Sequence, residues 1–218
     1  MTGPAAPAPA PKTATPQRLI ATLGGFGAIA GLLIVVAFAA TQPRIRANKA
    51  AALAAAIDEV LGAPQHYDTL YVTGAGLSRD LPTGANRETA EAVYLGWRDS
   101  TPIGFAVVAD GPGFQDNIHL IIGFDPQTSR MLGMKVLESK ETPGLGDKIV
   151  KDTAFVGQFG RVAGPVEGVK RGQGAGKPNE VVMITGATIS SRAVIRAINT
   201  ALEHVGPMLA AYRKELPR

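Results

Sequence analysis

The sequence predicts an α+β fold, in which an N-terminal transmembrane helix leads into a single domain of an antiparallel sheet and packed helices. Three observations predict it. Residues 19–40, LIATLGGFGAIAGLLIVVAFAA, are apolar and free of charge over the ~20 residues a helix needs to cross hydrocarbon. Apolar runs of strand length occupy 103–109, 118–124 and 131–137, the last two separated by the turn-rich DPQTS. From Ser190 to about Glu203 and beyond, Val194, Ile195, Ile198, Leu202 and Val205 recur at helical spacing, so one face of a helix packs on the sheet.

Taken in order, residues 1–18 are a Pro/Ala-rich tail (Pro4, Pro7, Pro9, Pro11, Pro16). They are too poor in bulky apolar groups to offset the entropy of ordering, so they are expected to be flexible. The span at 19–40 has one rival, a cleaved leader with Ala37 to Ala39 as its A-x-A site, but the apolar run exceeds the ~7–15 residues of a leader core. Gly24, Gly27, Ala28 and Gly31 give small-xxx-small spacings that permit close helix approach in lipid, although small residues are frequent in spans generally. Bases flank the span on both sides, so charge does not orient it. Residues 41–63 form a helical connector, Ala-rich after Pro43 and ending at Gly62-Ala63-Pro64. The remaining domain covers 64–218. In it, 157–178 is rich in Gly and Lys/Arg and reads as loop, 181–184 reads as a short buried strand, and Pro207 is expected to bend or interrupt the last helix.

Composition excludes several chemistries. The net charge of +4 comes from five bases and no acid in 1–50, leaving 17 bases against 18 acids in the rest. A nearly neutral domain argues against nucleic-acid binding, which is driven by clustered Lys and Arg neutralising phosphates. The absence of cysteine removes thiolate-held iron–sulfur clusters, zinc ribbons and disulfides. His66, His119 and His204 are widely spaced and form no metal-binding pair. Gly172, Gly174, Gly176 and Lys177 fail as a P-loop, because Arg171 and Pro178 stand where the motif needs Gly and Ser or Thr. Trp97 and Tyr94 read as core or sheet-surface aromatics.

Two stretches can carry chemistry. TGATISS, residues 185–191, puts a Thr hydroxyl where a buried strand ends and an amphipathic helix begins. Helix N-termini present unpaired N–H groups and partial positive charge, and Gly186 and Ala187 leave room for a ligand, so Thr188 is suited to carry or bind a phosphate. Read alone, the stretch is better explained as a helix cap supplied by Thr188, Ser190 or Ser191, a common use of Ser and Thr at that position. SKETPGLGDKI, residues 139–149, makes a tight turn at Pro143, Gly144 and Gly146 with Glu141, Thr142, Asp147 and Lys148 at its rim. It can edge a flat cofactor, or be an ordinary surface turn.

Together, ETPGLGDKI and the S/T-G-A-T core resemble the FMN-binding domain shared by the G subunit of Rnf (Rsx) electron-transport complexes and the C subunit of sodium-translocating NADH:quinone reductase. The likeness spans most of residues 44–205, and the short chain with an N-terminal span is more similar to the Rnf G subunit. The resemblance implies FMN joined by a phosphoester to Thr188, with Thr185, Gly186 and Ala187 as the recognition core of a separate flavin transferase. It also implies that Glu141, Thr142, Gly144, Leu145 and Gly146 lie beside the flavin. Relatives often carry an acid shortly before the core, where this chain has 181–184 with Glu180 nearest. The implied role is an electron-carrier subunit, inactive alone, of an ion-translocating oxidoreductase (a translocase) moving electrons between NADH and ferredoxin. Its partners would be the complex's other membrane and peripheral subunits. Its place would be the bacterial inner membrane, single-pass, with the flavin domain on the periplasmic side. The competing expectation is a membrane-anchored assembly or binding module without cofactor; a third is a substrate reductase.

Overall fold

The computed structural model describes residues 15–87, 89–174 and 176–216. The tail expected over 1–18 lies outside them as far as residue 14. Contacts divide the chain into Met1–Ala50 and Ala51–Arg218. The first unit holds most of α1, Pro16–Val60, a single helix that runs through Pro43. It is long and apolar enough to cross a membrane, and its large side chains from Leu19 to Phe38 are exposed all round. Residues 19–40 as a helix rise ~33 Å, matching the ~30 Å of hydrocarbon.

The second unit is built on six antiparallel strands: β1 His66–Thr73, β2 Gly76–Ser78, β3 Ala92–Arg98, β4 Thr101–Pro112, β5 Asn117–Asp125 and β6 Arg130–Glu138, in the order β2-β1-β3-β4-β5-β6. The expected strands at 103–109, 118–124 and 131–137 are the cores of β4, β5 and β6. Alternation then sorts their side chains by face. Phe105, Val107, Ile118, Leu120, Ile122 and Met131 join the main core. Ala106 and Ile121 point the other way, to a second cluster with Ala56, Ile57, Val60 and Leu61 from the end of α1. The helix lies close because the sheet presents glycine there: a Cβ on Gly123 would stand 2.2 Å from the Val60 carbonyl oxygen.

The main core is closed by α2 Lys148–Lys151, α3 Thr153–Gln158 and α4 Thr188–Glu215, together with a parallel pair, β7 Glu167–Val169 and β8 Glu180–Val182. Two expectations are corrected here. The stretch 157–178 is not all loop: it begins in α3, capped by the Asp152 side chain on the amides of Ala154 and Phe155, and holds β7. Pro207 does not interrupt the last helix, which continues to Glu215. The proline is exposed, while Val205, Leu209 and Arg213 on the opposite side are buried, and their packing holds the helix through the missing hydrogen bond.

The aromatics on β3 serve the fold. Trp97 stacks on His66 and donates from Nε1 to Asp68 at 3.0 Å; Tyr94 meets Tyr67 edge-on beside the α1 cluster.

Candidate functional site

The site begins where β8 leads into α4. Backbone bonds from Met183 to Val169 (2.8 Å) and from Ala187 to Ile184 (3.0 Å) hold the connection, and Gly186 turns the chain at φ +83°, a left-handed conformation costly for any residue with a Cβ. Ala187 is the cap residue of α4 and makes no side-chain capping bond. None of the hydroxyls in TGATISS acts as the cap. Ser191 Oγ accepts from the Ile184 amide at 3.2 Å and donates to the Ala187 carbonyl at 2.9 Å, and Ser190 donates to Glu141. Thr188, the first residue of α4, is half-buried, and its hydroxyl has no partner among the described residues. The amides of Thr188, Ile189 and Ser190 likewise have no acceptor among the described residues. The helix therefore starts with free donors and the positive end of its dipole beside a free hydroxyl.

The second stretch comes to the same place. After β6, the chain turns at 142–147, where amides of Leu145 and Asp147 bond to the Thr142 carbonyl at 3.1 and 3.3 Å. Glu141, Thr142, Leu145 and Gly146 line one cavity of 330 Å³ with residues 186–190 and Phe114. That volume lies at the lower end of the ~300–1,000 Å³ of small-molecule sites, enough to seat part of a cofactor and leave the rest in solvent. The cavity wall is mostly apolar. Phe114, Leu145 and Ile189 are 65 %, 54 % and 56 % exposed, three large apolar side chains that would cover a planar ring.

Glu141 is the charged group of the cavity and is only 5 % exposed. Its Oε1 accepts from the amides of Phe114 (2.7 Å) and Gln115 (3.0 Å), and its Oε2 accepts from the Ser190 hydroxyl. Burial alone would push its carboxyl up, but the three donors outweigh burial and hold it below the usual carboxylate range. Nearby, Lys151 pairs with Asp147 at 2.5 Å and holds that carboxyl low as well.

Of the residues singled out in the sequence, the cavity brings together Glu141, Thr142, Leu145, Gly146, Gly186, Ala187 and Thr188. It does not include Thr185 or Gly144. Thr185 lies on a second cavity with Lys148, Asp152 and Arg171, and Gly144 turns the loop at φ +78° with open space around it. Sequence reasoning missed Phe114 and Ile189 as cavity residues. The cue for the first was a large apolar residue within the GPGF turn, and for the second an apolar residue in the first turn of a helix whose other residues there are small or polar. Glu180, the acid nearest the core, is occupied by the amides of Gly176 (2.9 Å) and Lys177 (3.3 Å).

Residues 113–203, from the β4–β5 hairpin tip that carries Phe114 to α4, match the FMN-binding domain family. The G subunit of the ion-translocating oxidoreductase complex of Methanosarcina acetivorans is 30 % identical over 190 residues, covering 86 % of this chain and 93 % of the relative. That of Erwinia tasmaniensis is 33 % identical over 192 residues, covering 81 % and 83 %. Among solved structures, NqrC of Shewanella oneidensis aligns with a TM-score of 0.61 at 19 % identity, covering 76 % of this chain and 99 % of that one. At that identity the likeness establishes the fold.

Proposed function

We propose, since this chain belongs to the family formed by the G subunits of ion-translocating oxidoreductase complexes, that it is a membrane-anchored flavoprotein subunit that carries electrons within such a complex. We place its FMN in the cavity in front of Thr188, joined to that residue by a phosphoester that a separate flavin transferase installs. The observation that carries this reading is the convergence of a free hydroxyl, free helix-start amides and apolar walls on one cavity. The residues fit the group. The hydroxyl of Thr188 supplies the ester oxygen, and the amides of the first turn of α4 face the phosphate's charge. Phe114, Leu145 and Ile189 offer apolar surface to the ring, and Thr142 and the backbone at Gly146 offer polar edges.

When bound, a flavin exchanges electrons one or two at a time, which lets it join donors and acceptors of different electron count. The protein's part is to hold and orient. A covalent tether makes loss of the cofactor impossible without breaking a bond, and a partly open cavity leaves an edge for donor and acceptor subunits to approach. The chain offers no nicotinamide fingerprint, so activity is expected of the complex and not of this chain alone. The helix α1 would anchor it in the inner membrane, with the domain on the periplasmic side.

Co-expression with a flavin transferase, followed by a denaturing gel viewed under ultraviolet light, tests the assignment. The wild-type band should fluoresce and Thr188→Ala should be dark. A dark wild type, or a bright Thr188→Ala, counts against it.

A further inference from the structure

The tip of the β4–β5 hairpin lies beyond the sheet. Strand pairing ends at Pro112 and Asn117, and the tip carries the cavity residue Phe114. Within itself it is closed by the Gly113 amide on the Asp116 carbonyl at 3.0 Å, and outside by an exposed Lys140–Asp116 pair at 2.8 Å, a kind of contact worth little. The buried fastening is Glu141. Its carboxylate takes two donors from the tip and one from the first turn of α4, residues 27, 26 and 49 positions away in sequence. The backbone has been cleared around it: a Cβ on Gly113 or on Gly146 would each come within 2.4 Å of a Glu141 carboxylate oxygen. With three of about four acceptor sites on its carboxylate filled by protein, little remains for a ligand.

We propose that Glu141 is a positioning residue: it bolts the hairpin tip to the start of α4, sets Phe114 against the same cavity as Thr188, and keeps a fixed negative charge in the cavity wall. The part concerning the cofactor rests on the proposed function. The fastening itself does not. Removing the carboxylate frees two amides that have no strand partner, and Phe114 loses its place. Replacing it by the isosteric amide keeps the shape, since the amide oxygen accepts from the tip and the NH2 group donates to Ser190 Oγ, yet removes the charge. A negative charge beside a flavin disfavours its reduction, so its loss should make reduction easier.

The test uses the full chain in detergent, as wild type, Glu141→Gln, Glu141→Ala and Ser190→Ala. In protein without flavin, amide hydrogen exchange is read at Phe114 and Gln115. In protein matured with a flavin transferase, the midpoint potential and the circular dichroism of the visible flavin band are read. Glu141→Ala should speed exchange at both amides by about tenfold or more, as loss of a charge-assisted bond implies, and should weaken the flavin dichroism. Ser190→Ala, which leaves both tip amides bonded, should change their exchange less than Glu141→Ala does. Glu141→Gln should keep exchange within about threefold of wild type while moving the potential positive. Unchanged exchange in Glu141→Ala overturns the fastening, and an unmoved potential in Glu141→Gln overturns the charge. Failure of the wild type to take flavin at Thr188 would instead sink the proposed function, while the exchange data would still decide the fastening.

Discussion

Replacing Gly146 by alanine probes the junction of the two site segments with a single methyl group. The added Cβ would stand 2.4 Å from Glu141 Oε2, 2.8 Å from Glu141 Cβ and 2.8 Å from Ser190 Oγ. These atoms are not free ends of flexible chains, because the carboxylate is held by two amides and the hydroxyl is buried in the first turn of α4. Overpacking of this kind costs ~1–3 kcal/mol, and the displaced Ser190 bond to a charged acceptor adds ~1.5–3 kcal/mol, so a loss of about 4 kcal/mol is expected. Gly144 is the control. It sits in the same turn at φ +78° with open space around it, so its alanine variant carries only the left-handed backbone cost of ~1–2 kcal/mol. Urea unfolding of the full chain in detergent, followed by fluorescence of Trp97, the chain's single tryptophan, reads both. Gly146→Ala no more destabilising than Gly144→Ala would refute the packing described for the Glu141–Ser190 junction.

Gly123→Ala would drive a methyl into the Val60 carbonyl oxygen, 2.2 Å away, and lift the end of α1 from the sheet. A loss of ~2–3 kcal/mol in the same unfolding assay is expected, and wild-type stability would contradict the approach of α1 to the sheet. Glu141 has a lowered carboxyl in the folded state, so its contribution is complete above the unfolded value of ~4.3 and is lost as pH falls through the lower folded value. The stability gap between wild type and Glu141→Gln should therefore shrink as pH falls below the unfolded value of ~4.3 and through the lower folded value; a gap independent of pH would rule out an ionised Glu141. Asp152→Ala should cost ~1 kcal/mol by uncapping α3, with Asp152→Asn restoring most of it, and equal losses in the two variants would show that capping is not the cause.

The sequence made legible those elements whose burial has a simple period. Strands β4, β5 and β6 are nearly continuous apolar runs because the middle of the sheet is covered on both faces, by the main core and by the end of α1. Strands β1 and β3 escaped notice because partial burial blurs their alternation: Asp68 and Thr69 interrupt one, and Gly96, cleared for Leu61, interrupts the other. β7 is three residues long and owes its existence to a parallel partner that local sequence does not reveal. In the site, the two glycine-bearing stretches were legible only as a pair, through their joint resemblance to the FMN-binding domain, since each alone reads as a helix cap or a surface turn. Phe114 was not legible, because its place depends on a hairpin drawn in by a carboxylate 27 residues further along the chain. Ser190 was legible only as a helix cap, whereas its hydroxyl is spent on Glu141.

Intact-mass spectrometry of the purified chain, co-expressed with a flavin transferase, measures the central proposition most directly. The wild type should weigh more than its amino acids by one FMN less a water, with the added mass mapping to the peptide that contains Thr188, and Thr188→Ala should show the bare mass. A wild-type chain at its bare mass, or added flavin on a peptide without Thr188, would contradict the account.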